Sequence, residues 1–275
     1  MTTRTWFITG INSGFGRELA EQLLDRGDRV AGTVRRAGSV DDLRQKHGDQ
    51  LWVGDLDVTD LGRVRAVVDA AFAAHGRIDV VVSNAGYGLF GAAEEVTDEQ
   101  VEHQIATNLL GSIQTARAAL PHLRAQGGGR LIQISSVAGL AAHPGASLYH
   151  AAKWGVEGFM EALAQEVAPL GIGVTLVEPG GARTRFAGGS VRIAEPLAAY
   201  AGTPAAFVQT FRANPPALLG DPARMMARVI ESADREPAPL RLVLGSDSYQ
   251  AVTAALRARL AQIEPQATNA ASTDA

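Results

Sequence analysis

Trp6-Phe7-Ile8-Thr9-Gly10-Ile11-Asn12-Ser13-Gly14-Phe15-Gly16 reads as a buried strand, a glycine-rich turn and the opening of a helix. The helix that follows carries Leu19, Leu23 and Leu24 on one stripe and stops at Gly27. Strand, turn and helix in this order make a dinucleotide-binding element. Glycines permit a tight turn and close approach of the backbone to a pyrophosphate, and a helix N-terminus offers N–H groups and partial positive charge. The glycine spacing is GxxxGxG, with Thr9 leading it. Thr9, Gly10, Asn12, Ser13, Gly14, Phe15 and Gly16 are therefore candidate cofactor-binding residues.

Outward from this element, strand-like and helix-like segments alternate. A second strand, Arg29–Val34, ends in Arg35-Arg36. In a site for NAD an acidic residue about 20 positions past the glycines holds the adenosine ribose. Guanidinium groups at that place suit a 2′-phosphate, so NADP is expected over NAD, with solvated loop charges as the plainer alternative. A third strand from Leu51 to Val53 leads to Asp57, whose carboxylate could accept a hydrogen bond from adenine, and Asp60 caps the next helix. Ile78–Val82 is a buried strand running into Asn84-Ala85-Gly86, small residues that either let the chain pass a cofactor ribose or form an ordinary turn. Thr97-x-x-Gln100 opens a long helical region to about residue 126 through a capping box. Asn108 lies in its apolar middle, as a satisfied core amide or as the holder of a relay water. Residues 130–136 form the fifth strand, 172–177 the sixth and 240–244 a late one. These seven strands with intervening helices predict an α/β fold, a Rossmann-like doubly wound parallel sheet covered on both faces. One domain is expected over 1–263. Residues 185–220, with little periodicity, are expected to be a substrate lobe or lid, and 264–275 a disordered tail.

Between the fifth strand and a helix lies Ser136-Val137-Ala138-Gly139-Leu140-Ala141-Ala142-His143-Pro144-Gly145-Ala146-Ser147-Leu148-Tyr149-His150-Ala151-Ala152-Lys153. Tyr149 and Lys153, four apart, share a helix face. A phenol titrates near ~10, and a neighbouring ammonium favours the phenolate, which makes the pair a usable acid/base. Ser135 and Ser136 are tied on sequence alone as the hydroxyl that would share the substrate oxygen. His150 adjoins Tyr149 but points about 100° away, so packing is expected of it. His143 could line a pocket, and Phe186, Tyr200, Phe207 and Phe211 could line an apolar one or pack in the core.

Composition limits the alternatives. The chain has 275 residues, 46% hydrophobic and 20% charged, with a net charge of −4. That is ordinary globular composition, without the basic stripe of a nucleic-acid binder or the polybasic helix of a membrane-surface protein. With no cysteine there is no disulfide or thiolate metal site, which fits a reducing cytoplasm. The six histidines show no metal-binding spacing, so no metal is expected. The N-terminus lacks an apolar signal segment, and the uncharged stretch 131–152 is too polar to span a membrane.

Taken together, TGxxxGxG at Thr9–Gly16, the Asn84–Gly86 segment, Asn108, Ser136, Tyr149 with Lys153, and Pro179-Gly180 with Thr184 resemble the short-chain dehydrogenase/reductase family, closely over about 1–180. The resemblance implies an NAD(P)-dependent oxidoreductase interconverting a carbonyl and a secondary alcohol. It implies Tyr149 as proton donor or acceptor and Ser136 as the group positioning the substrate oxygen. Lys153 would lower the tyrosine pKa and bind the nicotinamide ribose, and Asn108 would hold the relay water. Asp57 would contact adenine, Asn84 would lie near the adenosine ribose and Thr184 would touch the carboxamide, with Ala85, Gly86, Pro179 and Gly180 also binding the cofactor. Asn12 and Ser13 stand where some NADP-using members carry a basic residue, which leaves Arg35 as the main support for NADP, with NAD possible. A homodimer or homotetramer is implied too, through the helices around 97–126 and 147–170. A catalytically silent dinucleotide sensor is the alternative from another class, and a sugar-nucleotide epimerase a second.

Overall fold

A computed structural model describes residues 3–184, 186–209 and 218–274. The strands are β1 Thr5–Ile8, β2 Arg29–Val34, β3 Leu51–Asp55, β4 Val80–Ser83, β5 Gly88–Phe90, β6 Gly129–Ile134, β7 Ile172–Pro179, β8 Val191–Ile193 and β9 Arg241–Leu244. The helices are α1 Gly14–Asp25, α2 Asp41–His47, α3 Leu61–His75, α4 Asp98–Ile105, α5 Gly111–Ala125, α6 Ser147–Val167, α7 Pro222–Ser232, α8 Ser246–Ile263 and α9 Ala267–Ala271. Seven strands form one parallel sheet in the order β3-β2-β1-β4-β6-β7-β9. The order reverses between β1 and β4, which opens a crevice at the carboxyl ends of those strands.

The sheet has two buried faces because its strands alternate. Trp6 and Ile8 of β1 join a core with Leu19 and Leu23 of α1 and Met226 and Val229 of α7. Phe7 joins the opposite core with Val64 and Val68 of α3, Leu123 of α5 and Met160 of α6. Local signals start the helices as the sequence predicts. Asp60 accepts a hydrogen bond from the Arg63 N–H at 2.9 Å ahead of α3. Thr97 and Gln100 close a reciprocal capping box ahead of α4.

Three features depart from the expectations. The long helical region is broken: Ala106–Leu110 is a π-type turn between α4 and α5, where the Gly111 N–H donates to the carbonyl of Ala106, five residues back. Within residues 186–209 there is regular structure. β8 pairs in parallel with β5 as a separate two-stranded ribbon, with Gly88 opposite Val191. The tail beyond 263 is also ordered where disorder is expected. It continues as a 3₁₀ turn, Glu264–Gln266, and α9, exposed throughout; the alanines there favour helix without packing. No helix among the described residues is long and apolar enough to cross a membrane.

Candidate active site

A cleft of about 580 Å³ opens at the carboxyl ends of the parallel strands. One wall is the turn after β1. Gly10 and Gly14 there have φ of +75° and +60°, which an L side chain adopts only with strain. Backbone and side-chain bonds fix the turn from both sides. The Gly10 N–H donates to the Thr33 carbonyl and hydroxyl at 3.1 and 3.2 Å, and the Ile11 N–H to the Thr33 carbonyl at 3.0 Å. The Asn84 side-chain amide donates to the carbonyls of Thr9 and Gly10 at 2.8 and 3.0 Å. Thr9 Oγ1 accepts the N–H groups of Asn84 and Ala85 at 2.9 and 3.0 Å.

The predicted cofactor residues therefore divide. Gly10, Asn12, Ser13, Gly14, Phe15, Arg35, Asp57, Asn84, Ala85, Gly86, Pro179, Gly180 and Thr184 all line the cleft. Thr9 and Gly16 do not; they build the wall from behind. A methyl carbon at position 16 would stand well inside 3.0 Å of the Gly10 carbonyl oxygen and of Asn84 Nδ2, so α1 approaches the turn only because residue 16 is glycine. Arg35 is exposed beyond β2 and makes no ion pair among the described residues. Asp57 Oδ1 accepts from both the N–H and the hydroxyl of Thr59, at 2.9 and 2.8 Å. Burial pushes the Asp57 carboxyl up, but the Thr59 bonds and the charge of Arg35 outweigh it and hold it below its ordinary value.

At the other end of the cleft lies Tyr149, 7% exposed and flanked by the rings of Phe90 and Phe186 at centroid separations of 6.1 and 6.2 Å. Ser136, whose hydroxyl accepts the Ala138 N–H at 3.1 Å, is the side chain that offsets part of the burial of the phenol. Ser135 is buried and turned the other way, toward Glu157, so the fold separates two serines that the sequence leaves equal. Lys153 Nζ lies 5.8 Å from the Tyr149 ring centroid and donates to the Ile134 carbonyl at 2.9 Å. The helix carrying both is pinned to the loop after β6 by His150. Its Nδ1 bonds the Ala138 carbonyl at 2.8 Å, and its Nε2 accepts the His143 N–H at 3.1 Å. His150 thus packs, as its position predicts, and His143 lines the cleft.

Two expectations change here. Burial pushes the Tyr149 phenol up to about 12, opposed only by the Ser136 hydrogen bond, so the pull of Lys153 expected from sequence does not dominate. Burial also brings Lys153 down to about 8, against the opposing charge of Glu157. Asn108 sits in the π-type turn, 1% exposed, and its amide is bound to one residue: Oδ1 accepts the Tyr87 N–H at 3.0 Å and Nδ2 donates to the Tyr87 carbonyl at 2.7 Å. The side-chain amide thereby holds the segment after Gly86.

Sequence reading missed several walls of the cleft. Thr33 fixes the glycine turn. Tyr87, hydrogen-bonded to His103 at 2.9 Å and covered by the Arg192 guanidinium at 5.2 Å, forms a rim. Phe90 comes from the β5–β8 ribbon, which no periodicity marked. Of the expected aromatic lining, Phe186 lies on the cleft, Tyr200 bonds Glu94 away from it, and Phe211 lies outside the described residues.

Comparison with known proteins gives the same architecture a family. The family model described as short chain dehydrogenase matches residues 4–192. The chain belongs to the short-chain dehydrogenase family. Among curated relatives, the oxidoreductase BOA17 of Botryotinia fuckeliana is 38% identical over 249 residues, covering 90% of this chain and 91% of its own. A 3-ketodihydrosphingosine reductase of Bacteroides thetaiotaomicron is 39% identical over 179 residues, 65% of this chain and 64% of that one. Among solved structures, a short-chain dehydrogenase of Streptomyces avermitilis superimposes with a TM-score of 0.92 at 37% identity, over 99% of both chains. ElxO with NADP bound shares the fold at a TM-score of 0.75 and 23% identity, over 90% of this chain and all of that one. A Burkholderia phymatum member in complex with NAD does so at 0.79 and 23%, over 96% and 95%. As a member of this family the chain is an oxidoreductase with the Rossmann-like fold that its sequence predicts.

Proposed function

We propose that this short-chain dehydrogenase interconverts a carbonyl and a secondary alcohol, uses NADP in preference to NAD, and employs Tyr149 as general acid/base. The observation that carries the reading is one continuous cleft with the glycine turn at one end and the Ser136–Tyr149–Lys153 group at the other. The residues present suit a dinucleotide. The turn offers open backbone where a side chain would block, and the cleft volume is within the range of small-molecule and cofactor sites. Gly10, Asn12, Ser13, Gly14 and Phe15 would hold its phosphates, Asp57 the adenine, and Asn84 to Gly86 the adenosine ribose. Arg35 would take the 2′-phosphate, Lys153 the nicotinamide ribose, and Pro179, Gly180 and Thr184 the carboxamide. When bound, the nicotinamide supplies or accepts the hydride.

The chain's own residues handle the proton. A phenol held near 12 is protonated at neutral pH and ready to donate to a substrate oxygen as reduction proceeds. Ser136, which lines the cleft beside the same phenol, would orient that oxygen. The reverse reaction needs the phenolate, which the Lys153 ammonium favours electrostatically. Two structural relatives bear on the cofactor, since one holds NADP and the other NAD, and the Bacteroides relative is named for reducing a ketone. Arg35 favours the phosphorylated cofactor here. The reading extends to a single domain whose 185–220 segment acts as substrate lobe, and to a cytoplasmic homodimer or homotetramer meeting through α4, α5 and α6.

The test is absorbance of the reduced cofactor, with NADPH and NADH in parallel, against ketones, aldehydes and quinones, and in reverse against alcohols. Turnover that disappears in Tyr149→Phe while cofactor still binds supports the assignment. Turnover retained in that variant rejects Tyr149 as the acid, and cofactor binding without turnover on any substrate favours the silent module.

A further inference from the structure

Behind the Tyr149–Lys153 pair, on the side away from the cleft, lies a buried charge cluster that the proposed chemistry does not use. Glu157 stands one helical turn beyond Lys153 on α6, so Tyr149, Lys153 and Glu157 lie along one face. Glu157 is 3% exposed and Glu178, at the end of β7, 0%. Arg241 of β9 joins them: its Nη1 donates to Glu157 Oε2 at 2.8 Å and to Glu178, and its Nη2 reaches Glu161 at the surface. Ser135, after β6, is turned to the same carboxylate, and a side-chain carbon at position 139 would stand 2.8 Å from both its hydroxyl and Glu157 Oε1, so the two share the space that Gly139 leaves free.

The groups facing Lys153 and Glu157 among the described residues are therefore Tyr149 and Glu161 on α6, Ser135 after β6, Glu178 on β7 and Arg241 on β9. Arg241 bonds all three carboxyl groups. Glu178 holds its proton up to about 7, and burial pushes Glu157 up as well, but the charges of Arg241 and Lys153 oppose that, which makes Glu157 the carboxylate that faces Lys153. Among the described residues the Lys153 ammonium makes one hydrogen bond, to the Ile134 carbonyl. A buried ammonium needs an opposite charge nearby to stay charged, and Glu157 is positioned to supply it.

We propose that Glu157 is a positioning residue for the proton chemistry: anchored by Arg241, it keeps the Lys153 ammonium charged and so sets the upper pH limit at which the Tyr149–Lys153 pair works. The inference rests on the reading of Tyr149 as general acid/base. Supporting it, burial drives Lys153 down to about 8 and Glu157 is the charge that opposes this. Without Glu157 the ammonium would lose its proton at still lower pH, inside the neutral range.

The experiment compares wild type, Glu157→Gln, Glu157→Asp and Glu161→Gln. The glutamine at 157 keeps the shape and an acceptor for Arg241 but removes the charge beside Lys153. Glu161→Gln removes a carboxylate from the same arginine, one turn farther along α6 from Lys153 than Glu157 is. Two readouts are taken: the pH profile of kcat in the alcohol-oxidising direction, and the titration of ¹⁵N-labelled Lys153 in the cofactor-free enzyme, assigned with Lys153→Met. The expected result is a Lys153 titration and an alkaline limb both moved down by about one pH unit or more in Glu157→Gln. Glu157→Asp restores most of the shift, and Glu161→Gln leaves both in place. A folded, cofactor-binding Glu157→Gln with an unmoved lysine titration overturns the proposal, as does an equal shift in Glu161→Gln, which would assign the effect to Arg241. Should Glu157→Gln not fold, a lysine titration moved down in Glu161→Gln overturns it equally. Full turnover in Tyr149→Phe would instead reject the underlying reading, while the lysine titration would still test Glu157.

Discussion

Gly16→Ala tests whether the glycine turn is a close-packed device. A methyl carbon there falls well inside 3.0 Å of the Gly10 carbonyl oxygen and of Asn84 Nδ2, roughly 1 Å short of ordinary contact. Neither neighbour is a free side-chain end. The carbonyl is backbone, and Asn84 Nδ2 is bonded to the carbonyls of Thr9 and Gly10. Either α1 withdraws from the turn or both hydrogen bonds break. Overpacking costs about 1–3 kcal/mol and two lost hydrogen bonds about 1 kcal/mol each; with part of both incurred, the variant should lose roughly 2–5 kcal/mol. At about 2–4 °C per kcal/mol for a chain near this size, the melting temperature should fall by roughly 5–15 °C. Because the Gly10–Gly14 backbone moves with Asn84, dinucleotide affinity should fall as well. Thermal unfolding and fluorescence titration with NADPH measure the two. Gly158→Ala on the exposed side of α6 is the control: nothing lies within 4 Å of its new carbon, and a helix-interior alanine should stabilise by about 0.5–1 kcal/mol. Wild-type melting and NADPH affinity in Gly16→Ala would refute the close-packing reasoning.

Tyr149→Phe should lower turnover by at least ~10²–10⁴-fold with cofactor affinity little changed, read by steady-state kinetics and by titration. Arg35→Asp should weaken NADPH by roughly 10–100-fold and NADH far less; equal losses would remove the arginine from 2′-phosphate recognition. Glu178 is raised by burial and by the nearby Glu157, from 4.5 to about 7. Between those values the folded chain keeps a proton that the unfolded chain releases, so stability is greatest below about 4.5 and declines as pH rises toward 7. The slope contributed by this group is at most about 1.4 kcal/mol per pH unit. Urea unfolding at pH 5 and 7 should show that slope in wild type and its loss in Glu178→Gln.

Local pattern carried most of this fold. The alternation of apolar β segments with helical stripes predicts the parallel sheet, and Asp60 and Thr97 mark helix starts because capping is a contact between residues two or three apart. The glycine turn is legible for the same reason. Legibility ends where partners are distant in sequence. The β5–β8 ribbon joins strands of three residues each, about 100 positions apart, too short for any periodicity. The π-type turn at Ala106–Leu110 interrupts a region whose composition reads as continuous helix; Asn108 supplies the reason only once its amide is seen bound to Tyr87.

By itself the sequence determined the sheet, its helices on both faces, and the residues Tyr149, Lys153 and the glycine turn, since each rests on spacing along one element. Tertiary structure alone decided that Ser136 and not Ser135 meets the phenol, that Asn84 and Thr9 clamp the turn, and that Glu157 shares Arg241 with Glu178. It also reversed the expected direction for Tyr149. A charge four residues away is visible in the sequence, but the loss of water around a buried phenol is set by what the rest of the chain packs against it, and here that burial is the larger effect.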